Sequence, residues 1–114
     1  MLNQIVLVGR ITRELEVEEK ENIRKGGVLT LAIPRSFKNA EGVYDTDFIN
    51  IRVFDSIAEN IKEYCRKGDI VGVKGRIQSN VFENAIGEKE FITEIIAEKV
   101  TFLSSKANRE SEEE

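Results

Sequence analysis

The chain has 114 residues, 40% apolar and 33% charged, with a formal net charge of −4; this is the make-up of one globular domain with a highly charged surface, too short for two. It has no histidine and a single cysteine, Cys65, which excludes a zinc site, histidine-based acid–base catalysis and an internal disulfide, and fits a reducing cytoplasm. No metal or cofactor is expected, and neither the start of the chain nor any apolar run resembles a secretion signal or the roughly 20 residues of a membrane span, so no membrane partner is expected.

The first strand is expected over 3–12, a β-branched run in which Gly9 marks a bulge or bend. Residues 13–27 are polar and end in Gly26-Gly27, the pattern of a turn or flared hairpin. A second strand follows over 28–37, with Pro34 placing its end at an edge or bulge, and then a polar loop over 38–45 around Gly42. The third strand, 46–54, alternates most clearly. Ile49, Ile51 and Val53 form a core face, while Phe48, Asn50, Arg52 and Phe54 point the other way.

Helical spacing takes over at 56–67, where Ser56 and Glu59 have capping-box spacing, Arg66 and Lys67 suit the C-terminal dipole and Gly68 stops the helix. A fourth strand is expected over 69–82, bent at Gly72 and Gly75, with a turn at Gly87 and a fifth strand over 89–103 alternating Ile92, Ile96, Val100 and Phe102. Phe91 and Phe102 read as core, Tyr64 as a helix-packing residue, and Tyr44 as a loop residue. Residues 1–103 thus form one domain, and 104–114, without periodicity, a disordered acidic tail. Three strands, a helix and two strands, with glycine-bent strands, predict an all-β, five-stranded Greek-key OB-fold barrel carrying one helix between strands three and four.

Charge is unevenly spread. Residues 14–21 carry five glutamates against Lys20, and 106–114 carry four glutamates against Lys106 and Arg109, which leaves the remaining body at +2. A single-strand nucleic-acid binder needs cations that follow phosphates and exposed rings on which bases stack. The outward set Phe48, Asn50, Arg52 and Phe54 supplies both on one strand. Phe37, flanked by Arg35 and Lys38, ends the second strand, Phe82 lies near the tip of the last hairpin, and Arg10 and Arg76 complete the candidate cations.

These residues carry a family resemblance. Asn3–Ile11, Thr46–Phe54, Ala58–Ile77 and Thr93–Val100 are similar, in order, to the opening strand, third strand, helix plus fourth strand, and last strand of bacterial single-stranded DNA-binding (SSB) proteins. The resemblance covers about residues 2 to 103. It implies an OB-fold, commonly a homotetramer, that binds and protects single-stranded DNA during replication, recombination and repair, with no catalytic activity. The family's stacking aromatics, often tryptophans, align with Phe37, Phe48 and Phe82, and a further stacking phenylalanine with Phe54. Three departures stand out: the chain has no Trp, the hairpin Gln78–Asn84 has no basic residue, and the end, Glu110-Ser-Glu-Glu-Glu, lacks the Pro-Phe tip through which relatives recruit partner proteins. Recruitment through such a tip is therefore not expected. The alternatives are an SSB-like interaction module of the primosomal type, a single-stranded RNA binder, or a nuclease; the last is disfavoured because Asn50 stands where a metal site needs Asp or Glu.

Overall fold

The computed structural model describes residues 1–18 and 25–104. Its elements are β1 (Ile5–Ile11), β2 (Gly26–Lys38), β3 (Tyr44–Phe54), α1 (Asp55–Tyr64), β4 (Ile70–Glu83) and β5 (Lys89–Ser104). The strands close into a barrel in the order β1-β2-β3-β5-β4, the expected architecture with its helix between the third and fourth strands. Closure is thin at two seams: the antiparallel β1–β2 register joins only Arg10 to Ala32 and Ile11 to Leu31, and the parallel β3–β5 register only Ile51 to Ile95 and Arg52 to Ile96.

Alternation along the strands builds the core. Leu29 and Leu31 of β2, Ile51 and Val53 of β3, and Val71 and Val73 of β4 are all at most 1% exposed. Complete burial of each such side chain stabilises by roughly 1.5–3 kcal/mol. Helix α1 covers the barrel with a stripe of Ala58 and Ile61, continued by Cys65 beyond its last turn. Leu15 is also buried in this cluster, and Val17 packs against it, so the stretch read as polar contributes two apolar anchors.

Several local expectations are corrected. The helix starts at Asp55 directly after Phe54, and no side chain caps it. Ser56 therefore lies inside the first turn, and the capping box is not formed. The corner is instead turned by Asp55 itself, at φ 52, whose N–H donates to the Lys25 carbonyl at 2.9 Å. Arg66 and Lys67 lie beyond the helix, where the Arg66 guanidinium donates to the Lys62 and Cys65 carbonyls at 3.0 and 2.8 Å. No bulge forms at Gly9, because the β1–β4 register runs unbroken from Ile5 to Arg10. Glycine is needed there for close approach: a Cβ would sit 2.7 Å from Ile33 and 2.9 Å from the Ala32 carbonyl. Gly26 and Gly27 belong to β2 rather than to a turn, and Glu18 pairs with Gly26 at the mouth of that connection.

The largest correction concerns β5. Phe91 is 77% and Phe102 48% exposed, and Ile92 is exposed as well. Residues 89–94 pair only with the end of β4, so this hairpin projects past the barrel and its alternation has no interior to face. Tyr64 is exposed, its ring 6.3 Å from that of Phe102. Tyr44 opens β3 rather than lying in a loop. Ser104 closes β5, paired with Ile70, and the acidic tail expected beyond it lies outside the described residues. Among the described residues, no helix is long and apolar enough to cross a membrane.

Candidate nucleic-acid interface

The antiparallel β2–β3 register places small residues opposite large ones on the outer face. Phe48 is paired with Ala32, Asn50 with Thr30, Arg52 with Val28, and Phe54 with Gly26. The β1–β2 register adds Arg10 opposite Ala32. Arg10, Ala32 and Phe48 therefore share one row across three strands, and at about 4.8 Å per strand spacing Arg10 and Phe48 start roughly 10 Å apart. Nothing bulky stands between them. Along β3 the two phenylalanines are six residues, or about 20 Å, apart.

Phe48 is 67% and Phe37 65% exposed, which leaves both rings open to a stacked base. Phe82 is 46% exposed on the β4–β5 hairpin, opposite Glu90. Phe54 differs: it is half-buried, and Gly26 makes room for it, since a Cβ on that glycine would lie 2.9 Å from the ring. The Arg52 guanidinium lies over its face, 5.5 Å from the centroid.

Polar groups knit the rows together. Thr30 Oγ1 donates to Asn50 Oδ1 at 2.7 Å and accepts from Arg13 Nη2 at 3.3 Å. Arg35 donates from Nε and Nη2 to Asp47 at 3.2 and 3.0 Å, with Asp45 at 3.8 Å. That hydrogen bond and the Asp47 charge raise the Arg35 pKa, and the same hydrogen bond lowers that of Asp47. Arg52 meets Glu94 at 3.2 Å. Arg76 meets Gln78 at 3.2 Å and Glu98 at 3.9 Å; the register sets it opposite Ile96, which is itself opposite Arg52, so it stands two strands from Arg52 in the same row. Lys38 instead lies over the Tyr44 ring, 5.7 Å from its centroid, and Arg10 donates to the Gly68 carbonyl at 2.8 Å. Among the described residues, Arg10, Arg13 and Lys38 have no carboxylate partner, whereas Arg52 and Arg76 each have one and Arg35 has two.

The structure thus brings Phe48, Asn50, Arg52, Phe54 and Arg10 onto one face, continues it toward Phe37, Lys38 and Arg35 at the far end of β2, and adds Phe82 from the hairpin. Two residues at this surface were missed in the sequence. Tyr44, 53% exposed, pairs with Lys38 across the Asn39–Val43 loop; the matching lengths of the flanking strands were the available signal. Arg13 reaches the face only because the chain after β1 runs back toward Thr30, and no pattern in the sequence carries that.

A closed five-stranded barrel with its helix between β3 and β4 is an OB-fold domain. This one belongs to the single-strand binding protein family, whose model matches residues 2–103. The chain is 45% identical over 108 residues to single-stranded DNA-binding protein 2 of Staphylococcus aureus strain COL, covering 95% of this chain and 78% of that protein. It is 39% identical over 112 residues to the single-stranded DNA-binding protein of Streptococcus mutans, covering 98% and 68% respectively. Among solved structures, the Plasmodium falciparum SSB in complex with ssDNA superposes with a TM-score of 0.75 at 28% identity, over 91% of this chain and 97% of that one. The family is named for binding, not for catalysis.

Proposed function

We propose that this protein binds single-stranded DNA without sequence preference, stacking bases on Phe37, Phe48, Phe54 and Phe82 and drawing phosphates toward its cations. The observation that carries this reading is the outer β2–β3 face. Two rings about two-thirds exposed stand beside cations on a face that strand alternation turns away from the core. Stacking accepts any base, because every base has a π-face. Phosphates are met by Arg10, Arg13 and Lys38, whose charges no carboxylate neutralises among the described residues. Three such contacts predict a log–log salt slope near −2, at about 0.7 per phosphate for single strands.

The protein acts as a homo-oligomer, a tetramer by its family resemblance, in the cytoplasm during replication, recombination and repair. Val6 and Val8, 66% and 52% exposed on the outer side of β1, offer an apolar strip for a second copy. The residues up to Ser104 form the binding domain, with the acidic segment after it as an appended tail.

The test is fluorescence anisotropy of a labelled oligo-dT, with duplex DNA and matched RNA as competitors. The label belongs on the DNA, because the chain has no Trp to quench. Binding that resists duplex competitor is expected, and no binding at low salt would refute the proposal. Equal competition by RNA would widen the ligand class to single strands of either sugar.

A further inference from the structure

We infer that Arg52 is a stacking platform rather than a phosphate clamp, and that Glu94 is the positioning residue that keeps it so. This rests on the single-strand-binding reading above. The guanidinium is held from two directions: beneath it lies the Phe54 ring, 5.5 Å to the centroid, and at its edge the Glu94 Oε1, 3.2 Å from Nη1. The other carboxylate oxygen of Glu94 accepts from Asn80 Nδ2 at 2.5 Å. Glu94 is recessed, its side chain 16% exposed, whereas Arg52 remains 46% exposed.

That asymmetry decides between two roles. Swinging Arg52 onto a phosphate would strip a recessed carboxylate of its counter-cation and leave it facing a polyanion, and both changes are unfavourable. Staying in place costs nothing and presents a planar, weakly hydrated cation to solvent, a surface on which a base stacks. Phe54 and Arg52 then act as one two-layered platform. Glu94 and Asn80 belong to the β4–β5 hairpin while Arg52 belongs to β3, so the same contacts tie the hairpin, with Phe82, to the face across the seam where only two residue pairs join β3 to β5. Local neutralisation by Glu94 also removes Arg52 from the set of charges that release counterions.

The experiment compares wild type with R52K, R52A, E94Q and F48A, by oligo-dT anisotropy over a salt series, with melting temperatures as the folding control. Arg52 and Phe48 are exposed, so R52K, R52A and F48A should fold, and E94Q replaces a recessed carboxylate by an amide of the same shape, with its melting temperature as the check. Lysine keeps the charge but not the plane. R52K and R52A are expected to lose affinity by similar factors, within the roughly 5- to 150-fold general to stacking losses, at an unchanged salt slope. E94Q is expected to bind more tightly at low salt and to steepen the slope by up to about 0.7. Wild-type affinity in R52K together with a slope reduced by about 0.7 in R52A would overturn the inference. If wild type binds and F48A weakens it, such a result overturns the platform alone; if wild type does not bind, the underlying reading falls and the platform with it.

Discussion

Phe48 and Phe54 share the outer face of β3 but do different work. Phe48 stands over Ala32 with two-thirds of its surface exposed, whereas Phe54 is half-buried against Gly26 and beneath Arg52. Phe48→Ala is therefore expected to weaken oligo-dT binding by the roughly 1–3 kcal/mol general to OB-fold single-strand binders, with the melting temperature unchanged. Phe54→Ala should lower both affinity and melting temperature, read by anisotropy and thermal scanning; a loss of affinity without any loss of stability would contradict its packed role. Cys65 gives a separate test of the core. Burial first, and then the Asp69 charge, push its thiol from the ordinary 9.0 up to about 11. The folded state thus holds this proton more tightly than the unfolded chain. Its contribution to stability is fully present below pH 9 and is lost as pH rises toward 11. At pH 8 a thiol reagent should label the native protein far more slowly than the denatured one; equal rates would contradict the burial.

The elements differ in how much of them could be read from residues alone. In β3, strict alternation between Ile49, Ile51, Val53 and the outward set is the direct signature of a strand with one face on a core, and the burial follows it. In β5 the same alternation misleads. The strand is 16 residues long, and its first part pairs only with β4, so Phe91 and Ile92 are exposed without a core beneath them. Periodicity reports which residues share a face; it does not report whether anything covers that face. The helix boundary was missed for another reason, since the corner at Asp55 depends on a backbone contact with Lys25 that lies 30 residues away. A matched pair of variants measures the contrast. Ile51→Ala, at a site with no solvent exposure, is expected to cost about 2–5 kcal/mol in urea unfolding. Phe91→Ala should stay within about 0.5 kcal/mol despite removing a larger side chain. A comparable loss in both would show that the hairpin is covered in solution.

At the scale of the molecule, element order led to the barrel because three strands, a helix and two glycine-bent strands have few ways to close. The location of the aromatic face was legible as well, through Phe48 and Asn50. The ion pairs that silence three of its five candidate cations were not, because Arg35–Asp47, Arg52–Glu94 and Arg76–Glu98 join positions whose proximity depends on strand register or local bends. Assembly belongs to this scale too. Light scattering is expected to give a multiple of the 13.0 kDa chain mass, and Val6→Lys with Val8→Lys to reduce it; a wild-type mass of 13.0 kDa would remove the proposed second copy. The account as a whole turns on whether single strands lie on the β2–β3 face. Photo-crosslinking of an oligonucleotide carrying 5-iododeoxyuridine, with the attached peptides identified by mass spectrometry, reads this directly. The account predicts crosslinks at Phe48 and at Phe37 or Phe82. Crosslinks confined to the far side of the barrel, around Val6 and Val8 of β1 or Phe102 of β5, would contradict it.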